Sequence, residues 1–135
     1  MKKASIVVFS ILLPLIVTGC AKEWQNPDTA LPAKKLKITS ILVSPHAYDS
    51  AGVIVEGKVW DLTFNILEEK DSETPYTSFK IADKDGNFIN VFALGHVPLL
   101  EGDLVEVKGI YRREYITERH SFINEIEAVS IEKIK

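Results

Sequence analysis

The sequence predicts an all-β domain, a small closed barrel of five strands, behind an export signal and a flexible tether. Three observations carry that expectation. From Ile38 onward, short alternating apolar runs are separated by Gly, Pro and Asp turn signals. The first long run, Val53–Phe64, has a glycine near its middle, where a strand that must bend tolerates one. No run after Ile38 keeps a 3.6-residue apolar period over the length of an ordinary helix. At 135 residues the chain has room for one domain of this kind.

Met1-Lys2-Lys3 precedes the apolar run Ala4–Val17, the layout of a secretory signal peptide. The run is shorter than the roughly 20 apolar residues a spanning helix needs, carries Pro14, and gives way to polar sequence directly after Cys20. A buried amphipathic helix would show polar positions at helical spacing, and Ser5 and Ser10 are the only polar side chains in it. The stretch Val17-Thr18-Gly19-Cys20 resembles the lipobox of bacterial lipoproteins. That resemblance implies a diacylglyceryl group on the Cys20 thiol, cleavage just before it, and acylation of the new amino terminus. Residues 1–19 are then the signal peptide, and Cys20 is a lipid anchor that places the chain in the cell envelope. Cys20 has no second cysteine to pair with. By the same resemblance Ala21, rather than Asp, favours the outer membrane. Loss of Lys2 and Lys3 shifts the net charge from −3 to −5.

Residues 20–37 read as a lipidated tether, with two prolines and no apolar period. Trp24 either sits at the lipid headgroups or is an exposed linker residue. Residues 38–135 form the domain. Ile38–Val43 is a short helical or turn-like lead-in, ended by Ser44-Pro45. Val53–Phe64 is the long first strand, with Gly57 as its bulge or bend. Asn65–Pro75, charged and polar, is a loop. Tyr76–Ala82 and Phe88–Ala93 pair through Asp83-Lys84-Asp85-Gly86-Asn87, whose Asp-Gly is a strong hairpin signal. Gly95–Leu100 leads to the turn Glu101-Gly102-Asp103. Leu104–Tyr111 is the fourth strand, Arg112–Ser121 a loop or hairpin tip, and Phe122–Ile131 the fifth strand, with a bulge near Ala128.

Closure is the common way for a small sheet to remove its edges, and this order of elements favours an OB-fold barrel. The stretches ITSILVSPHAYDSAGVIVEGKVW, FKIADKDGNFINVFA and LLEGDLVEVKGIY also resemble the lead-in, hairpin and Gly-Asp turn of bacterial exported OB-fold domains. That resemblance implies the fold and leaves the ligand open. The exported haem chaperones of the same fold carry an attaching histidine followed four residues later by tyrosine. Here His120 is followed by Asn124, so haem is not implied.

The residues give little footing for an enzyme. His46, His96 and His120 fall in three different loops without metal-ligand spacing. No nucleophile elbow or phosphate-binding glycine loop is present, and neither a cofactor nor a metal is expected. Glu106, Glu125 and Glu127 read as a solvated strand face. Charge argues against nucleic acid, because residues 38–135 carry 10 basic and 17 acidic side chains and phosphate tracking calls for a basic groove. One segment stands apart: Tyr111, Arg112, Arg113 and Tyr115, followed by Arg119 and His120, beside the usual OB binding face. Either it binds an anionic ligand, a glycan or an acidic partner, or its arginines pair with Glu114, Glu118 or the acidic first loop. Trp60 is a stacking platform if it faces outward, whereas a bulge at Gly57 would turn it into the core, the expected placement. The preferred reading is a non-enzymatic envelope module for a small ligand or protein partner. The alternative is a single-stranded nucleic-acid or nucleotide binder.

Overall fold

The computed structural model describes residues 23–25, 31–69 and 71–134, so the export signal and Cys20 lie outside the described residues. Seven strands are present among these: β1 (Glu23–Gln25), β2 (Lys34–Lys35), β3 (Gly52–Glu69), β4 (Ser72–Ala82), β5 (Phe88–Leu94), β6 (Leu104–Ile116) and β7 (Ser121–Lys133). Two short helices, α1 (Ile38–Val43) and α2 (Pro45–Tyr48), precede β3. β3 pairs antiparallel with both β4 and β6, β4 with β5, and β6 with β7, while β5 and β7 run parallel. The ring therefore closes in the order β3-β4-β5-β7-β6, which is the five-stranded OB barrel.

Alternation on the strands fills the interior. Val53, Val55 and Val59 of β3 meet Ile89 and Val91 of β5 and Val105 and Val107 of β6 in one buried cluster. Ile38 and Ile41 of α1 plug one end of it. Each such side chain contributes roughly 1.5–3 kcal/mol by leaving water. Two glycines permit the tight closure. A Cβ on Gly57 would stand 2.5 Å from the Ala82 carbonyl oxygen, and one on Gly109 would collide with the Glu127 carbonyl. Gly57 keeps its register, so the expected bulge there is absent. The irregularity falls between Trp60 and Thr63 instead, where Asp61 adopts φ 53°. The expected irregularity near Ala128 is present as a register shift of β6 against β7 at Lys108/Gly109.

Three further expectations are corrected. Residues 65–75 are not a loop: β3 and β4 continue past the barrel as a two-stranded arm, paired from Thr63–Ser78 to Glu69–Ser72. Residues 112–121 likewise form a second arm, paired out to Ile116–Ser121, with only 117–120 as its tip. The tether is partly built into the sheet. β1 pairs with Ser130–Glu132, β2 pairs with Val53 and Ile54, and the Leu36 N–H donates to the Ile54 carbonyl at 2.9 Å. Pairing of this kind satisfies main-chain groups on strand edges and needs no apolar side-chain pattern, so composition did not reveal it.

Candidate functional site

The two arms rise on either side of the outer surface of β4 and β5. Alternation on β5 sends Ile89, Val91 and Ala93 inward and leaves Phe88, Asn90, Phe92 and Leu94 on the outer face. Opposite them on β4 stand Lys80, Ser78 and Tyr76, and beyond those on β3 stand Trp60, Thr63 and Asn65. An outward strand face normally carries polar residues. This one carries aromatics in two groups.

The first group lies between the arms. Phe92 stacks on Tyr76 with ring centroids 4.9 Å apart, and it touches the rings of His120 (4.5 Å) and Phe122 (5.2 Å). Leu67 of the first arm packs on the same cluster. Above these rings is a cavity of about 230 Å³, lined also by Arg112, Tyr115, Thr117, Arg119 and Glu127. The Arg112 guanidinium lies 4.4 Å over the Tyr115 ring, and its Nη2 donates to Glu127 Oε1 at 2.9 Å. Tyr115 closes the row against Phe122.

Local sequence explains this geometry. Phe122 and Glu125 are three positions apart, yet both reach His120, which strict strand alternation forbids. Asn124 lies between them at φ 47° and changes the face. Asparagine tolerates that left-handed backbone better than most residues. Its Oδ1 accepts the Tyr111 hydroxyl at 2.8 Å, which pins the irregularity to the core. At the arm's tip, Thr117 Oγ1 accepts the His120 N–H and donates to the His120 carbonyl, setting the imidazole over Phe92. His120 Nε2 lies 2.8 Å from Glu125 Oε1. Burial pushes the Glu125 carboxyl above its ordinary range, and the neighbouring His120 opposes that rise.

The second group sits at the other end of the face. Trp60 and Phe88 are exposed by 49% and 38%, and Lys80 lies between them, 5.0 Å over the Phe88 ring and 2.7 Å from Asp61 Oδ2. They line a second hollow, of about 320 Å³, with Lys84 and Gly86 of the hairpin turn. Phe88 and Phe92 are four residues apart on one strand, which sets the two groups about 13 Å apart.

Several sequence expectations are revised by these positions. Trp60 is outside, not in the core, because β3 holds its register through Gly57. Tyr111 is not on the surface: it is 1% exposed, and burial, followed by the Asp49 charge, raises its hydroxyl pKa. Glu125 is buried, not part of a solvated face. Arg113 does not line the cavity; its N–H donates to Asp49 Oδ1 and its Nη1 lies 3.9 Å from Glu114. Arg112, Tyr115, Arg119 and His120 do come together there, Arg112 pairing with Glu127 instead of an acidic loop. Leu67, Tyr76, Phe88, Phe92, Phe122 and Glu127 were not anticipated. For Phe88 and Phe92 the signal was available in FINVF, where both alternate positions are apolar.

No protein-family model matches the chain, and no curated protein does. Among solved structures, one from the crystal structure of yeast Stn1 and Ten1 is similar with a TM-score of 0.58 at 16% identity, covering 77% of this chain and 64% of that one. This chain thus spans less than two thirds of that protein's length. The OB domain of Ta0387 from Thermoplasma acidophilum is similar with a TM-score of 0.50 at 19% identity, covering 76% of this chain and 88% of that one. At such identities the likeness is one of fold, and the fold class is that of OB domains. The preference for an envelope module that takes a small ligand or protein partner, with nucleic acid set aside, is corrected by these neighbours. The fold they share is one whose outer face takes oligonucleotides or oligosaccharides, which reopens the single-stranded nucleic-acid alternative. The charge argument averaged over the domain, whereas binding on an OB barrel is decided on one face, the outer side of its second and third strands between flanking loops.

Proposed function

We propose that the domain binds single-stranded nucleic acid across the outer face of β4 and β5, without catalysing a reaction. The observation that carries this reading is the pair of aromatic groups on that face, one of them set between two hairpin arms. Bases stack on such rings irrespective of sequence, each contributing roughly 1–3 kcal/mol. The cations lining the two hollows are Lys80, Lys84, Arg112 and Arg119, too few for electrostatics to dominate. Four phosphate contacts would give a salt slope of about −3, so stacking supplies most of the affinity.

The test is a titration of the full chain with a fluorescent oligo-dT at low and at moderate salt, read by anisotropy and by tryptophan quenching. Saturable binding with a slope no steeper than about −3 is expected. Absence of binding at low salt would rule the function out.

Location is a separate proposal, supported by the resemblance of Val17-Thr18-Gly19-Cys20 to a lipobox. Cys20 carries the lipid, and the domain works at the cell envelope. Mass spectrometry of the chain from its native membrane should find a diacylglyceryl adduct on Cys20, and Cys20→Ala should release the chain to the aqueous phase. An unmodified thiol would end this proposal without touching the first.

A further inference from the structure

We propose that the cavity between the arms reads a guanine base of the bound strand through Arg112 and Glu127; this rests on the oligonucleotide reading above. The cavity has aromatic walls in Phe92, His120 and Tyr115, and among its polar lining residues Arg112 and Glu127 form an ordered edge, with Thr117 and Arg119 at the arm's tip. The Arg112 guanidinium is held from two directions. It lies over Tyr115, and it donates to Glu127 Oε1 from Nη2 at 2.9 Å and from Nε at 3.3 Å. The Arg112 side chain is 18% exposed and the Glu127 side chain 40%, so the pair is fixed yet open to the cavity.

The edge presents, in sequence, an N–H donor and the two oxygens of one carboxylate, hence donor, acceptor, acceptor. Bases splayed from a single strand are read on their Watson–Crick edges. Guanine offers the complement there: O6 accepts, while N1–H and N2–H₂ donate. Arg112 would reach O6, and the Glu127 carboxylate would take the two adjacent donors, the longer Nε contact yielding its lone pair. Every other base meets the same edge with a conflict or leaves part of it unmet. Thymine matches O4 and N3–H but points O2 at a carboxylate oxygen. Cytosine centred on the edge sets N3 against the central oxygen, and shifted so that N3 meets the guanidinium and N4–H₂ the nearer oxygen it leaves the third position without a donor. Adenine matches only the first two positions, with N1 at the guanidinium and N6–H₂ at the nearer oxygen, and leaves the third without a donor.

The experiment compares the full chain's affinity for oligo-dT carrying one central dG, deoxyinosine, dA or dC. Inosine lacks only the N2 amino group, so it removes one contact without altering shape. We expect dG to bind about tenfold more tightly than dA or dC, within the range found for good base-edge pairs, and inosine to fall between. Glu127→Gln, which keeps the volume and replaces one acceptor by a donor, should bring the dG-to-inosine ratio close to one. Equal affinity for all four strands, or a preference for another base, overturns the guanine assignment and leaves stacking intact. Failure of every strand, oligo-dT included, overturns the parent reading as well.

Discussion

The two faces of β5 are both largely apolar, and they do different work. Inward, Ile89, Val91 and Ala93 are wholly buried among side chains from the other strands and hold the barrel shut. Outward, Phe88 and Leu94 remain partly open, and Phe92 is covered by Leu67 and by rings delivered from the two arms. The inner face is apolar because closure requires it. The outer face has no such requirement, and a strand with solvent on that side would be more stable against aggregation with polar residues there. An apolar surface kept where folding does not ask for it is better explained by what lands on it.

Substitutions on each face should separate these roles. The largest effect should come from inside. Gly109→Ala drives a methyl group into the Glu127 carbonyl, and overpacking against backbone of this kind should cost about 3 kcal/mol, measured by urea unfolding. Val91→Ala should cost about 2 kcal/mol through the cavity it leaves, with oligonucleotide affinity per folded molecule unchanged. Phe88→Ala should reverse that pattern. Its stability loss should stay below about 1 kcal/mol, while affinity falls about tenfold through one lost stacking contact. Equal stability losses for Val91→Ala and Phe88→Ala would dissolve the distinction between the faces. Tyr111→Phe lies between the two: losing the bond to Asn124 should cost about 1 kcal/mol and blunt the order of the second arm, visible as faster amide exchange at Phe122–Glu125.

The barrel was legible in the sequence because each of its strands has one face in the core, so hydrophobic alternation and turn chemistry report the same boundaries. The arms were not. Phe64 and Ile66 of the first arm and Ile116 and Ile123 of the second are exposed, and a ribbon with solvent on both sides leaves no alternation to detect. Its polar residues, such as Thr63 and Ser78, bond to each other across the strands instead. Trp60 was misplaced for a different reason. A mid-strand glycine can mean a bulge or a close backbone approach, and Gly57 is the second. The actual change of face lies at Asp61, one of the few residue types that accept a left-handed backbone, and nothing in its neighbourhood distinguishes it from an ordinary surface aspartate. Of the segment Tyr111–His120, residue types alone located half the site. Tyr111 turned inward because it continues the buried alternation of Val105, Val107 and Gly109 along β6, while the face of β7 was decided by Asn124.

The smallest predicted effect concerns the one charged residue among the described residues that is buried on the outer side. Glu125 is 7% exposed, and desolvation raises its carboxyl pKa above the 4.5 of a free glutamate, with His120 working in the opposite sense and the Glu127 charge adding to the rise. The folded protein therefore holds this proton more tightly than the unfolded chain does. By linkage, the stability that Glu125 contributes is fully present below its unfolded pKa and is lost as pH rises through the folded value. Glu125→Gln keeps the shape and can still accept from His120, but it has no proton to lose. Urea midpoints taken from pH 4.5 to neutrality should show the wild type losing stability relative to Glu125→Gln as pH rises, the gap then levelling off. A gap that instead opens on acidification would mean that the ion pair with His120 outweighs burial. The outer face would then be held together at this point by charge, as an ordinary surface is, and not by the same exclusion of water that closes the core.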